Sequence, residues 1–165
     1  MSGQPENYMK QPAEKSFIDA RDSLSNTTQN PIPVITELKE LPATPSWAYA
    51  LAILGNGLAQ NKLQERRQIA RGQVLLRLAA RKMEEGFQPG DTHTLLYDYI
   101  GIVDLQVDAG DLEGAQKTAR SVEPHLATIP EECRDNRVYG RTLQHAHELI
   151  EAILTPPLEK SGGIG

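Results

Sequence analysis

The segment 91–123, DTHTLLYDYIGIVDLQVDAGDLEGAQKTARSVE, constrains the fold most because it predicts two helices joined by a tight turn. Apolar residues recur at spacings of three and four on both sides of the turn, which places each set on one helical face. Gly110 gives a helix C-terminus the backbone freedom it often uses, and Asp111 is a good N-cap for the next helix. The two stripes are Leu96, Tyr99, Ile100, Val103 and Val107, then Leu112, Ala115, Ala119, Val122 and Leu126. The segment therefore predicts a helical hairpin.

Three aspartates indicate the exposed face of the first helix, and one proline indicates where the second helix ends. Asp98, Asp104 and Asp108 fall outside the first apolar stripe, so we expect them to lie in solvent. Pro124 has no amide hydrogen and clashes with the preceding helical turn. We therefore expect the second helix to end or kink near residues 121–123.

The run 108–115, DAGDLEGA, resembles the turn and second-helix start of a tetratricopeptide repeat. In that family a Gly-Asp pair closes the first helix, a bulky residue follows, and a small alanine packs between the helices. The matching positions are Gly110, Asp111, Leu112, Ala115, Tyr99 and Ile102, and the departures are Val103, Gln106 and Ala119. The resemblance covers about one repeat of roughly 34 residues. It implies an array of helical hairpins, whereas a generic antiparallel helical pair is the alternative.

Composition indicates one soluble domain with an aliphatic core. The chain has 165 residues, of which 39% are hydrophobic and only 5% aromatic. Its single cysteine, Cys133, excludes an internal disulfide and is typical of a reducing compartment. The first ten residues lack an apolar signal core, and the longest apolar run is far shorter than a membrane span. We therefore expect a cytoplasmic protein without a membrane partner.

Residues 1–45 differ in kind from the rest, since they contain six prolines and a polar run at 23–30. This composition predicts a flexible, largely disordered N-terminal arm, with a short transient helix near residues 13–24. The alternative is a segment that folds on a partner or on its own body, with 31–42 as an extended strap or one helical turn. Residues 155–165 are expected to form a flexible tail.

Residues 46–154 predict an all-α domain of about five helices, arranged in antiparallel hairpins as a tetratricopeptide-like array or a small bundle. Thr44 or Ser46 is expected to cap the first helix, with Pro45 in its first turn. Gly55 and Gly57 favour close helix packing or a helix end over a phosphate-binding loop, because no Gly-Lys-Ser/Thr follows. The predicted helices are near 47–60, 63–85, 91–108, 112–123 and 137–154.

A large share of the basic residues lies on one predicted helix in an otherwise acidic chain with a net charge of -5. Seven of the 17 basic residues and one of the 22 acidic residues lie between Lys62 and Lys82. These cations either pair with acids of the fold such as Asp98, Asp104 or Asp108, bind a protein partner, or contact nucleic-acid phosphates. The residues predicted to bind a partner are Arg66, Arg67, Arg71, Val74, Arg77, Leu78 and Arg81.

No catalytic, cofactor or metal signature is evident in the sequence. His145 and His147 are two residues apart, so a helix points them to different sides rather than at one zinc ion. Acidic neighbours of Cys133 disfavour a reactive thiolate. The aspartates near the hairpin turn lack the spacing of a calcium loop. We therefore expect no metal, no cofactor and no enzymatic activity.

The function predicted from these features is a non-catalytic protein–protein interaction module, such as an adaptor, scaffold or assembly factor, that binds through a helical surface. Self-association is compatible with the same surfaces. The alternative is a regulatory nucleic-acid-associated protein that uses the basic helix 62–82, and its affinity would fall steeply with salt.

Overall fold

The computed structural model describes residues 17–60 and 65–155, and every regular element in these ranges is a helix. The helices are α1 at 17–25, α2 at Ile32–Lys39, α3 at Pro45–Ala59, α4 at Arg66–Gly86, α5 at Ile100–Asp108, α6 at Leu112–Leu126, α7 at Glu131–Arg134 and α8 at Arg137–Leu154. A π-helical segment, Thr94–Tyr99, runs directly into α5. The all-α prediction is confirmed, but the predicted number of helices was too low because α1, α2 and α7 were not anticipated as stable elements.

Helix α3 packs closely against α4 through two glycines. A Cβ atom on Gly55 would lie 2.7 Å from the carbonyl oxygen of Gly72, and one on Gly72 would lie 2.7 Å from the amide nitrogen of Ala59. The two backbones are thus too close for any side chain at these positions. The packing role predicted for Gly55 is confirmed, whereas Gly57 faces open space. As predicted, Thr44 caps α3 by accepting a hydrogen bond from the amide of Trp47.

The predicted hairpin turn between α5 and α6 is confirmed. Gly110 has a φ of +79°, which favours glycine, and the Asp111 carboxylate accepts from the amide of Gly114 at 3.0 Å. Both apolar stripes are buried except for Val107 and Leu112, which are exposed beside the turn. These two residues lie at the ends of their helices, where none of the described helices covers them.

Two details of the hairpin differ from the sequence-based expectation. α6 continues past Pro124 to Leu126, and the proline itself lies on the exposed side of the helix. Asp98 and Asp104 are half-buried rather than fully in solvent, and this burial raises the pKa of both carboxyls. His145 of α8 lies 4.0 Å from Asp104 and opposes that shift. Asp108 is exposed, as expected.

The disordered arm predicted for residues 1–45 is not what the structure shows for residues 17–45, which we call the N-terminal segment. Ala20, Leu24 and Leu38 of α1 and α2 are buried in the core. The ring of Phe17 stacks on that of Trp47 at a centroid distance of 5.6 Å. The segment therefore folds on its own body, which is the alternative that the sequence left open. The remainder of the predicted arm, and all of the predicted tail after residue 155, lie outside the described residues.

The C-terminal helix α8 completes the core by packing on α6 and on the π-helical segment. The Asn136 side chain caps it by accepting from the amides of Val138 and Tyr139. Its buried residues are Leu143, Ala146, Ile150 and Ile153. Across 17–60 and 65–155, no helix combines the length and apolar content that a bilayer crossing requires.

Candidate functional site: the groove between α4 and α6

The seven residues predicted as a partner-binding face on α4 separate into buried and exposed groups. Arg71 and Leu78 are buried, so neither contributes to an accessible surface. The exposed or half-buried members are Arg66, Arg67, Val74, Arg77 and Arg81. The seven residues are therefore not one continuous face.

Arg71 holds the N-terminal segment. Its guanidinium donates at 3.0 Å to the carbonyl oxygens of Leu24 and Asn26 and at 2.8 Å to that of Gln29. The last carbonyls of a helix have no partner within the helix, and a guanidinium offers five donors in a planar fork. Arg71 thus binds the last turn of α1 and the loop that follows it. The aspartates expected as its partners are not the groups that it binds.

Lys82 has the same role at the end of α2. Its ammonium group donates to the carbonyl oxygens of Lys39 at 2.8 Å and of Leu41 at 2.6 Å. Both cations of α4 that are buried therefore bind backbone oxygens of the N-terminal segment rather than carboxylates.

Arg77 is fixed by Asp111, the N-cap of α6. Its Nε and Nη2 atoms each donate to one carboxylate oxygen at 2.6 Å. The bonds to Arg77, helped by the amide of Gly114, lower the pKa of Asp111 although burial opposes the shift. The same bond to Asp111 raises the pKa of Arg77. This pair ties α4 to the start of α6.

Beyond that pair, α4 and α6 border a cavity of about 520 Å³, which we call the α4–α6 groove. The two helices run in the same direction, because Arg77 contacts the start of α6 and Glu84 contacts His125 near its end. The lining residues are Val74, Arg77, Ala80, Arg81, Glu84 and Glu85 of α4, Gly114, Lys117, Thr118 and Ser121 of α6, and Tyr99 and Gln106 from below. Three of the seven predicted residues, Val74, Arg77 and Arg81, meet here.

The groove is lined by charges of both signs. Arg81 and Lys117 are exposed cations, and Glu84 and Glu85 are exposed acids that lie within one helical turn of Arg81 on α4. Within the described residues Arg81 has no ion pair, and Lys117 has one with Glu113, at 3.6 Å and largely in solvent. The lining therefore presents both cations and acids to a ligand.

Among these acids, Glu84 is already engaged by two side chains. The hydroxyl of Tyr99 donates to its carboxylate, and the Nε2 atom of His125 lies 3.2 Å from the same group. Burial, and then the bond to Glu84, raises the pKa of Tyr99 well above its ordinary value. Tyr99 is thus a neutral phenol that holds Glu84 against the groove floor.

Gln106 lies at the bottom of the groove in an unusual state. Its side chain is fully buried, and neither its amide oxygen nor its amide nitrogen has a hydrogen-bond partner in the described structure. The backbone carbonyl of the same residue accepts from the amide of Asp111 at 2.9 Å, so only the side chain is unsatisfied. A buried polar group without a partner is rare in folded proteins.

The groove offers donors, acceptors and apolar surface. Two of its charged groups are already bonded, Arg77 to Asp111 and Glu84 to Tyr99. Among residues 17–60 and 65–155, there is no group of three or more His, Cys, Asp or Glu side chains that could hold a metal ion. Cys133 is a half-buried free thiol on α7.

Sequence reasoning missed the residues that α5 and α6 bring to the groove. Lys117, Thr118 and Ser121 carry no motif, because their relevance depends on α6 lying beside α4. Gln106 could have been found: it follows the buried Ile102 and Val103 at helical spacing, so it is a polar residue at a core position.

No family model, curated protein or solved structure matches this chain. The resemblance to a tetratricopeptide repeat stays a prediction, and the site is interpreted from its own chemistry.

Proposed function

We propose that this protein is a non-catalytic interaction module that binds a segment of a partner protein in the α4–α6 groove. The observation that carries the proposal is the α4–α6 groove itself, in which the exposed Val74 lies among charged side chains of both signs from two adjacent helices. A peptide matches such a lining, since it has main-chain donors and acceptors together with charged and apolar side chains.

The size and lining of the groove support this proposal. Its volume of about 520 Å³ falls within the range of ordinary ligand sites. Val74 exposes 44% of its surface and lies beside Arg77 and Arg81 in the lining. Arginine next to aliphatic residues is a common combination at protein interfaces. The single cysteine of the chain favours a reducing compartment, such as the cytoplasm, for this activity.

The alternative, nucleic-acid binding through the basic helix 62–82, has less support. Arg71 and Lys82 are committed to backbone carbonyls, and Arg77 is neutralised by Asp111. Phosphate binding depends on cations that can replace counterions. The exposed arginines that α4 retains are Arg66, Arg67 and Arg81, in a chain of net charge -5.

A matched pair of surface variants tests the groove as the binding site. Val74→Arg fills the groove, and Ile53→Arg places the same side chain on α3 at a similarly exposed aliphatic residue, 49% against 44%. Tagged wild type and both variants are used to capture partners from the native lysate, with and without nuclease, and circular dichroism confirms that each is folded.

The expected result is a nuclease-resistant, stoichiometric protein partner that Ile53→Arg retains and Val74→Arg loses. If the two variants capture the same proteins, the groove is not the interface. If every partner is lost on nuclease treatment and the loss follows salt, the nucleic-acid alternative is correct instead.

A further inference from the structure

We propose that this chain forms a dimer by exchange of its N-terminal segment, so that residues 17–41 of one copy dock on α3 and α4 of a second copy. This inference goes beyond the proposed function and is independent of it, because Arg71 and Lys82, which hold the segment, do not line the α4–α6 groove.

The first step concerns how residues 17–41 are held. Leu24 and Leu38 are 0% and 3% exposed in the core, and Phe17 stacks on Trp47 of α3. The helices α1 and α2 themselves have only nine and eight residues. Isolated helices of this length are not stable in water. A segment that leaves its own copy therefore needs the same surface on another copy in order to fold.

The second step concerns the polar anchors, which do not distinguish one copy from another. Arg71 donates to the carbonyl oxygens of Leu24 at 3.0 Å and of Gln29 at 2.8 Å. Lys82 donates to that of Leu41 at 2.6 Å. An identical segment from a second copy offers the same carbonyls in the same geometry. The closed and exchanged forms therefore share these contacts, and they differ in the path of the connector and in the entropy of association.

The third step concerns this connector, residues 42–44. It joins Leu41, which Lys82 binds, to Pro45, the first residue of α3. Leu41 and Thr44 each precede a proline, and such residues favour extended backbone. Thr44 is extended, with a φ of -118° and a ψ of 153°. In the closed form these three residues must return the segment to the body from which α3 begins, whereas exchange lets them straighten. A short hinge of this kind favours exchange.

Two variants that each block docking in a different way test the exchange in the full-length protein. Leu24→Asp/Leu38→Asp disrupts the segment and leaves the surface of α4 intact, whereas Arg71→Glu/Lys82→Glu disrupts that surface and leaves the segment intact. Each variant alone is expected to be monomeric by light scattering after size-exclusion chromatography. In an equimolar mixture an intact segment meets an intact surface only across two copies, so a heterodimer is expected. A mixture of folded variants that stays monomeric overturns the inference.

Wild type provides a second measurement that does not depend on core substitutions. Protein refolded from urea at high concentration is expected to contain a dimer whose fraction rises with concentration. Insertion of Gly-Ser-Gly between Ala43 and Thr44 lengthens the hinge and is expected to lower that fraction about threefold or more. The same insertion between the exposed Ala127 and Thr128, in the turn after α6, is the control and is expected to leave it unchanged. Circular dichroism confirms that each protein is folded.

The outcomes also separate this dimer from binding in the groove. Wild type that refolds only as a monomer at every concentration overturns the inference. A dimer that Arg71→Glu/Lys82→Glu retains, or that the hinge insertion leaves unchanged, forms through another surface and overturns it as well. Val74→Arg is expected to keep the exchanged dimer, so the dimer and the groove partner are lost through different variants.

Discussion

Helix α4 has two polar sides. The side chains on one are buried and hydrogen-bonded, and those on the other include exposed or unpaired groups. On the side that faces the N-terminal segment, Arg71 and Lys82 are buried and donate to backbone oxygens at helix ends. On the side that faces the α4–α6 groove, Arg81 has no ion pair in the described structure, and the amide of Gln106 below it is unpaired. We call these the bonded side and the groove side.

The difference shows that the role of a buried polar group is set by what its neighbours leave unsatisfied. The carbonyls that end α1 and α2 need donors, and the cations of the bonded side supply them, so that side stabilises the fold. The groove side keeps the cost of an unpaired buried amide in the folded protein. Stability and binding are therefore expected to respond in opposite ways to mutation on the two sides.

The largest effect is expected on the bonded side, from Arg71→Met. Removing the guanidinium leaves three or more carbonyls of the N-terminal segment without donors, which should lower the free energy of unfolding by about 3 kcal/mol. Urea denaturation measures this change. Arg67→Met removes an exposed arginine of the same helix and is expected to stay within about 0.5 kcal/mol of wild type. Equal stability of the two variants would mean that Arg71 does not hold the segment.

Gly72→Ala should have the next largest effect, because it tests the backbone contact that sets α4 against α3. The added methyl group would meet the backbone of Gly55 and Ala59, and overpacking of this kind costs about 2–3 kcal/mol. Gly57→Ala is the control. Its methyl group meets nothing within 4 Å, so it should gain roughly 0.5–1 kcal/mol from helix propensity alone. Thermal melts compare both with wild type, and a neutral Gly72→Ala would disprove the close approach.

Asp111→Asn is expected to cost about 1–2 kcal/mol at neutral pH, after allowance for the partly exposed Arg77. Asparagine can still cap α6, so the loss reports the bond to Arg77. The pKa of Asp111 is lowered in the folded state. Its contribution is therefore fully present above the unfolded pKa of about 4 and is lost as the pH falls through the folded value.

The stability difference between wild type and Asp111→Asn is expected to depend on pH. Stability measured from neutral pH downward should show wild type and Asp111→Asn converging below about pH 4. Asp104 should behave in the opposite way, because burial raises its pKa and the carboxylate is disfavoured in the folded state. Asp104→Asn is thus expected to gain on wild type as the pH rises. Parallel curves for all three proteins would refute both assignments.

The bonded side and the groove side differ in how much the sequence could predict. The turn at Gly110 and Asp111 was predictable because all of its determinants lie within a few residues: a left-handed backbone and an N-cap to Gly114. The partners of Arg71 lie 42 to 47 residues away and are backbone carbonyls, which no side-chain pattern encodes. The charge of that helix was visible in the sequence, but its use was not.

The N-terminal segment was missed for a related reason. Its prolines suggested disorder, yet Pro33 and Pro45 lie in the first turns of α2 and α3, where a missing amide hydrogen costs nothing. What decides between an arm and a folded segment is whether Leu24 and Leu38 find a core, and that depends on the tertiary packing of α3 and α4. The groove follows the same rule, since α4 and α6 become neighbours only in the folded chain.

The smallest expected effect discriminates best between the two sides, because it is a gain in stability. Gln106→Met removes two buried atoms that have no partner and keeps nearly the same volume, so the free protein should become more stable by about 1 kcal/mol. Gln73→Met is the matched control on α4. Its amide donates to the carbonyl of Ala109 at 2.8 Å, so the same substitution should lose about 1 kcal/mol. Urea midpoints at a common slope compare the two. Opposite signs would establish that the amide of Gln106 is unsatisfied in the folded protein, as the groove side requires. A loss at both positions would mean that Gln106 is already satisfied in solution and would remove the distinction between the two sides.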